Sequence, residues 1–515
     1  MDMFSAPFPV AEALGCALGG ALVTLICYYQ TISIPQWPFR WVINLYLRWK
    51  FLLWGAPMIS EEYTKAKGGA FSVAGPDHDH VFISSKQHLK ECQRAKKDEL
   101  SFFAATKQMF QPTYTMLGHN WLDERGAEGI GYVKAVGTLL PERMRAIMPD
   151  MRTNIKNTFD TCFGKVKTSN GSKELLAPTL IKKVMCDLNG YAFFGDELAK
   201  NEVFMKSVLE YNELVVIAAE VLRITPNFLK RWVGTFFKNQ GGIQATVFQM
   251  INEVVERRLK DKADREAGLI DTPAQSDLVT WIIDTAPKEL NWGARRITYE
   301  VIAIWFGSVH ALSATTSYAL YDLCLYKEYL SPLRDELNSE EFKSFMHTTQ
   351  GLPLLDSFIK ESTRFNPMES MSGRRQALKD FYYSDGTKVR KGAWTCVPAK
   401  AILHDDQYFP DALRFNGFRF VPETATVPDH VKKALQPEGP SKLTDISPHY
   451  HSWGIGGVVC PGRFYASVAI KLTLAHILEN YDVELVNPQA ERASVWRSYV
   501  LPAERTQVRF TPRSS

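Results

Sequence analysis

The stretch Trp453–Ala466, WGIGGVVCPGRFYA, sets a single cysteine between a glycine-rich loop and the start of a helical pattern. That pattern runs on through Ala469, Leu472, Leu474, Ile477 and Leu478. A helix start offers free backbone N–H groups and the positive end of the helix dipole, and both stabilise a thiolate. Glycines let the backbone approach a flat ligand and donate to sulfur. Taken alone, the loop admits two readings: Cys460 as a thiolate ligand, or Cys460 as a buried structural residue in a turn. Its glycine spacing also touches a dinucleotide-binding fingerprint, but no βαβ unit surrounds it.

A second constellation is Glu361-Ser362-Thr363-Arg364, following Leu354, Leu355 and Phe358. The i, i+3 spacing puts both charges on one helix face, where they can pair. The same spacing occurs at Glu91/Arg94, Glu142/Arg145 and Glu220/Arg223, so residue type does not single it out. Order does: Glu361/Arg364 precedes Phe415-Asn416-Gly417-Phe418-Arg419-Phe420, which precedes Cys460. Trp121 and Arg125 stand upstream, and Arg375 lies five residues before Asp380, with Arg374 beside it.

In this order the motifs resemble those of the cytochrome P450 superfamily. Trp453, Gly456, Cys460 and Gly462 match its cysteine-loop signature, with Trp in place of the usual Phe. The resemblance implies haem b with Cys460 as axial iron ligand, thiolate ligation being a general property of that family. It implies haem propionates held by Trp121, Arg125 and Arg375, with Arg374 as the alternative to Arg375, since bidentate pairing suits arginine to carboxylates. It also implies a buried network of Glu361, Arg364 and Arg419. One departure stands out: two residues before the cysteine the family carries Arg or His, and here there is Val458. The segments 306–313, 415–420 and 460–464 look most like fungal membrane-anchored P450s of secondary metabolism.

The resemblance also implies a central helix whose acid and threonine deliver protons. Those positions hold His310 and Ala311. An imidazole titrating near pH 6.5 could hold a water or pass protons, with Ser313 or Thr315 as helper. Gly307 would leave room for substrate, and Phe103, Phe110, Tyr114, Val309, Met368 and Leu501 fall in segments that line the pocket in relatives. The implied reaction consumes O2 and NADPH-derived electrons from a separate P450 reductase, with cytochrome b5 as an optional second donor. It hydroxylates a lipophilic small molecule, a terpenoid or meroterpenoid intermediate, in one or several steps. Desaturation or oxidative rearrangement is the alternative without the relay threonine, and a non-catalytic haem-binding membrane protein is a third reading.

The elements that must position these groups come from the wider sequence. The 515 residues are 45% hydrophobic, enough for a large core, and 60 basic against 56 acidic residues argue against nucleic acid as a partner. Eight scattered cysteines without a CxxC pair point to a reducing compartment. No Asp, Glu, Lys or Arg occurs between Ala13 and Phe39, and Arg40, Arg48 and Lys50 follow. This reads as an uncleaved anchor with the remainder cytosolic, single-pass in the endoplasmic reticulum membrane and in contact with its lipid. A second uncharged run, Val301–Tyr321, reads as a buried core helix, because a span there would strand the last third of the chain across the membrane. The expected fold is mainly α: a single large α-rich P450 domain with small β-sheets behind one N-terminal transmembrane helix. The divisions are an anchor over 1–35, a proline-containing linker at the membrane surface over 36–60 and the haem-binding domain over 61–515. Residues 260–277 read as an exposed loop, and 481–486 and 507–510 as edge strands.

Overall fold

A computed structural model describes residues 37–119, 130–168, 171–240, 242–288, 291–422 and 441–513. The expected anchor over 1–35 therefore lies outside the described residues. Two compact units are distinguished, residues 1–50 and 51–515. The expected linker is helical instead: α1 covers Trp37–Ala66 and contains Pro57. A proline ring clashes with the carbonyl four residues earlier, and the backbone yields at Trp54 (φ −127°, ψ 19°), so the helix kinks rather than ends.

The larger unit is mainly helical. Its principal helices are α2 (Ile130–Lys134, continued by a π-turn over Ala135–Leu139), α3 (Leu140–Gly164), α4 (Ala177–Ala199), α5 (Glu202–Ile224), α6 (Lys230–Lys238), α7 (Ile243–Glu266), α8 (Ala294–Leu325), α9 (Pro353–Phe365) and α10 (Arg463–Asn480). Helix α8 is the uncharged run seen in the sequence, extended at both ends. Among the described residues it is the helix long and apolar enough to cross a membrane, and it is mostly buried within the protein. Protein surrounds it: Trp305 is fully buried and donates its indole N–H to the Val208 carbonyl of α5 at 3.2 Å. Helix α7 runs past the expected loop start because Arg258 turns inward. Its guanidinium pairs with Asp277, the N-cap of the next helix, at 2.9 Å.

Small sheets complete the fold. Strands β1 (Phe71–Ala74), β2 (Asp79–Phe82), β3 (Leu100–Ser101), β5 (Ser372–Ala377) and β8 (Trp394–Val397) form one sheet in the order β1-β2-β8-β5-β3. Strands β4 (Lys173–Leu176), β9 (Tyr481–Leu485) and β12 (Gln507–Pro512) form another, ordered β4-β12-β9, so β12 is central rather than an edge. Its partner β4 lies more than 330 residues upstream, Gln507 pairing with Leu176, which no local pattern reports. Two hairpins remain, β6 (Phe381–Tyr382) with β7 (Lys388–Val389) around Gly386 (φ +86°), and β10 (Ala493–Trp496) with β11 (Tyr499–Pro502).

Near its C-terminus α8 buries Asp322, 3% exposed, with Asn366 Nδ2 donating to it at 3.0 Å. Burial pushes its carboxyl up to about 8. Folded protein therefore keeps a proton that the unfolded chain releases near its ordinary value of 3.8, so this group's contribution makes stability fall as pH rises from about 4 to 8. Asp322→Asn should raise stability at pH 8 by an amount on the order of 1–3 kcal/mol and flatten that slope, read from denaturant melts across pH. An unchanged slope would remove Asp322 as its source.

Candidate active site

The cysteine loop is built by glycines with specific duties. Gly454 (φ +88°) and Gly456 (φ +58°) sit in the left-handed region, and a Cβ on Gly456 would fall 2.9 Å from the Gln93 side chain. Trp453 donates its indole N–H to the Leu443 carbonyl at 2.6 Å, and its own carbonyl accepts the Cys460 N–H at 2.7 Å. Cys460 then stands three residues before α10. Burial pushes its thiol up, while the backbone N–H groups of Gly462 and Arg463 and the Arg463 charge pull it back toward the thiolate. It is only partly buried, unlike Cys92, Cys186, Cys324 and Cys396.

Helix α2 and its π-turn lie across this loop. A Cβ on Gly462 would approach Val136 at 3.5 Å and the Cys460 sulfur at 3.9 Å, and one on Gly137 would meet Pro461 at 3.6 Å. Tyr132, one turn before Val136, is pushed up to about 12 by burial and by the charges of Glu300 and Cys460. Sequence reasoning missed this element. Trp121 and Arg125, its chosen pair, lie outside the described residues, and α2 begins just beyond them.

Helix α8 carries an open strip. Gly307 and Ala311, one turn apart, are exposed although their neighbours Trp305, Phe306, Val309 and Leu312 are buried, and a Cβ on Gly307 would meet nothing within 4 Å. Two expected residues are turned away from this strip. Val309 is 0% exposed in the core, and Ser313 is buried with its hydroxyl donated to the Val309 carbonyl at 2.7 Å. At 100° per residue both lie on the far side of the helix from Gly307 and Ala311. Thr315, a turn past Ala311, stays half-buried. His310 borders the strip; its ring meets the Asn212 backbone carbonyl, its Nε2 has no hydrogen-bond partner, and burial with the nearby Lys182 charge lowers it to about 4. Ser308 is held by a buried chain: Tyr465 donates to Asn189 at 2.9 Å, and Asn189 donates to Ser308 at 3.0 Å.

Arg375 projects from β5 just after a bulge between Ser372 and Arg375, where Gly373 (φ +62°) packs under Ile455 of the cysteine loop. Bulges re-aim side chains beside functional sites. Arg375 is 7% exposed and its Nε is unpaired, whereas Arg374 is engaged by Glu369 and by the Tyr499 ring. The remaining expected pocket residues scatter. Phe110 packs edge-on to Phe306 at 4.8 Å, Phe103 and Met368 are half-buried, Leu501 is exposed on β11, and Tyr114 turns onto Gly234 of α6. Two surface clefts, of about 350 and 620 Å³, contain none of these groups.

Behind the loop, Glu361 and Arg364 form a two-toothed pair at 2.7 and 2.8 Å, fully buried. Arg419 adds a third bond to Glu361 at 3.0 Å, and the Asn416 N–H a fourth at 3.0 Å. Arg364 also caps the carbonyls of Leu403 and Ala412, and Arg419 those of Pro410, Asp411 and Arg414. Glu361→Gln leaves two buried guanidiniums against a neutral partner and should cost about 3–5 kcal/mol in thermal or denaturant unfolding. Glu142→Gln, at the exposed copy of the motif, should stay within about 0.5 kcal/mol. Equal effects would refute the distinction.

Comparison with known families matches residues 35–510 to Cytochrome P450. Among curated proteins the chain is 27% identical over 493 residues to cytochrome P450 monooxygenase penQ of Penicillium crustosum, covering 92% of this chain and 89% of that one. It is 28% identical over 433 residues to cytochrome P450 monooxygenase paxQ of Penicillium paxilli, covering 83% and 81%. Among solved structures it is similar to retinoic acid bound cyanobacterial CYP120A1, with TM-score 0.65, 15% identity and coverage of 88% and 94%. The chain belongs to the cytochrome P450 family and is a monooxygenase of that haem-thiolate, O2-consuming class, which draws NADPH-derived electrons through a reductase.

Proposed function

We propose that this monooxygenase oxidises a bulky lipophilic intermediate of fungal secondary metabolism, of terpenoid or meroterpenoid kind, with Cys460 as the residue that would hold the haem through its thiolate. The observation that carries the reading is the pairing of a partly exposed Cys460, held by two backbone N–H groups, with the open Gly307–Ala311 strip. The residues fit the haem: open space above Gly307, the buried and unpaired Arg375 Nε for a propionate, and Tyr132 beside the cysteine. Trp121 and Arg125 remain proposed propionate partners, and Arg375 offsets in part the loss at Val458. When bound, the group supplies thiolate-assisted oxygen activation. The chain's residues bind and orient the substrate against Phe110, Phe306 and Gly307, exclude water, and manage protons.

Ala311 offers no hydroxyl, so proton handling falls to His310 and the hydroxyls bordering the strip. At neutral pH His310 is uncharged, and its free Nε2 can accept from a water and pass a proton on without storing it. Ser308 and Thr315 flank the strip more closely than Ser313 does.

Membrane attachment, through the segment before Trp37, is part of the same reading, with the endoplasmic reticulum as its site. It is supported by α6 and its approach: Phe228, Trp232 and Phe236, spaced four apart, are 77, 70 and 62% exposed, with Lys230, Arg231 and Lys238 among them. An exposed aromatic stripe beside basic residues suits the interface of a bilayer.

Reduced protein under carbon monoxide should give the red-shifted Soret band of a thiolate-ligated haem. Cys460→Ala should abolish it with far-ultraviolet circular dichroism retained, and a surviving band would overturn the assignment. With reductase and NADPH, product mass should rise by one oxygen, and loss of two hydrogens alone would mark desaturation instead. In bilayers of brominated lipid, part of the tryptophan quenching should vanish in Trp232→Phe, and unchanged quenching would detach α6 from the membrane.

A further inference from the structure

One buried amide in α5 is left without a bond. The inner stripe of that helix, Val208, Tyr211, Asn212 and Val215, is buried, and Trp305 of α8 donates to the Val208 carbonyl within it. Tyr211 settles its hydroxyl on the Thr115 carbonyl at 3.2 Å. Asn212 is 0% exposed, and neither its Oδ1 nor its Nδ2 has a hydrogen-bond partner among the described residues. An apolar side chain would fill that place at less cost, because a buried polar group without a bond loses its hydration and recovers nothing.

A second orphan lies beside it. The backbone carbonyl of Asn212 meets the His310 ring, whose Nε2 is buried and unpartnered. A carbonyl only accepts, so the neutral ring donates to it from Nδ1 and keeps Nε2 as an acceptor. Covalent geometry holds the Asn212 amide within one side-chain length of that carbonyl. Three unmet polar atoms therefore gather where α5 packs on α8: the Nε2 acceptor, and a donor and an acceptor on the amide. Buried polar atoms are seldom left so, and two to four such partners are what an internal water needs.

His310 stands about 60° around α8 from Gly307, so it borders the open strip on one side and α5 on the other. Solvent lies beyond α5. Lys182 of α4, mostly buried, donates to Glu213, the residue after Asn212, at 3.2 Å and to Glu504 at 3.4 Å, and both carboxylates are exposed. Lys182 and Glu213 are also the charges that act on the His310 ring. Polar groups thus run from exposed carboxylates past Asn212 to His310, across a helix contact that is otherwise apolar.

We propose that Asn212 is a positioning residue: its amide and His310 Nε2 hold an internal water, through which protons pass from the Lys182–Glu213–Glu504 cluster to the strip. The water gives a proton to Nε2 and takes one from the entry side, and the ring then releases its extra proton toward the strip. One proton moves, no electron does, and ring and water end as they began. The proposal rests on the haem-thiolate reading and on His310 handling protons. A crystal structure of the full-length haem-loaded protein should show that water within hydrogen-bond reach of His310 Nε2 and Asn212, and a dry contact there overturns the proposal. With reductase in excess, Asn212→Leu should slow NADPH consumption about tenfold and enlarge its slowing by D2O, while Asn212→Ser, which can keep the water, should stay within about twofold of the parent. His310→Leu should slow it as much, and the double variant no further, since both act on one step. With the carbon monoxide band intact, a parent-like rate and isotope effect in Asn212→Leu, equal losses in the serine and leucine variants, or losses that multiply in the double variant overturn the water link. A parent-like rate in His310→Leu overturns the reading of His310 instead, and absence of the carbon monoxide band in the parent overturns the haem reading.

Discussion

The carboxylate of Glu361 is the point on which this architecture hangs. Three charged side chains sit in a medium that disfavours each of them, so none is tolerable without the others. Glu361 satisfies two guanidiniums, and those guanidiniums collect five carbonyls from residues 403–414. That stretch has almost no regular structure of its own, and buried carbonyls outside helices and sheets need donors from somewhere. The arginines provide them. An irregular chain segment is thereby made rigid enough to present the cysteine loop that follows it.

Rigidity behind the loop is matched by restraint in front of it. Helix α8 is apolar almost all round, yet it is bare at Gly307 and Ala311, which leaves a flat strip in an otherwise packed interior. Beside the loop, α2 comes within ordinary van der Waals reach, Val136 against Gly462 and Gly137 against Pro461. The candidate site thus combines the cysteine loop, the α2 turn packed against it, the bare strip of α8 and the buried Arg375. Polar groups near the strip are few and tethered, as the Tyr465–Asn189–Ser308 chain shows.

The Glu-x-x-Arg pattern shows how far residue types reach. It occurs four times, and the structure gives it different fates. At Glu142/Arg145 both residues are exposed; Glu91 instead binds Ser384, with Arg94 exposed. Glu361, Arg364 and Arg223 are buried and Glu220 mostly so, and both glutamates are shared with arginines more than 50 residues distant in sequence. Motif order identified the first buried pair. Nothing local identified the second, because its partners Asp77 and Arg497 lie in two unrelated turns. The same limit explains Val309 and Ser313: a stretch of α8 was legible as the site, but which side of the helix faces open space depends on what α4 and α5 cover. It also explains the linker that is a helix, since a proline's cost is absorbed by a kink.

What the sequence determined by itself was chemistry with a short range or a fixed order: a cysteine after glycines and before a helix, a Glu/Arg pair upstream of Arg419, a long uncharged helix, and so a mainly α fold of the P450 family. These survive because they need only local spacing, chain order and hydrophobic period. What only tertiary structure decided was facing and pairing: which of two adjacent arginines is free, which hydroxyls border the strip, that β12 is central, and that four scattered charges close into one ring. Burial is a property of what surrounds a residue, and in this fold the surroundings are supplied by segments up to 420 positions away, as Asp77 and Arg497 are.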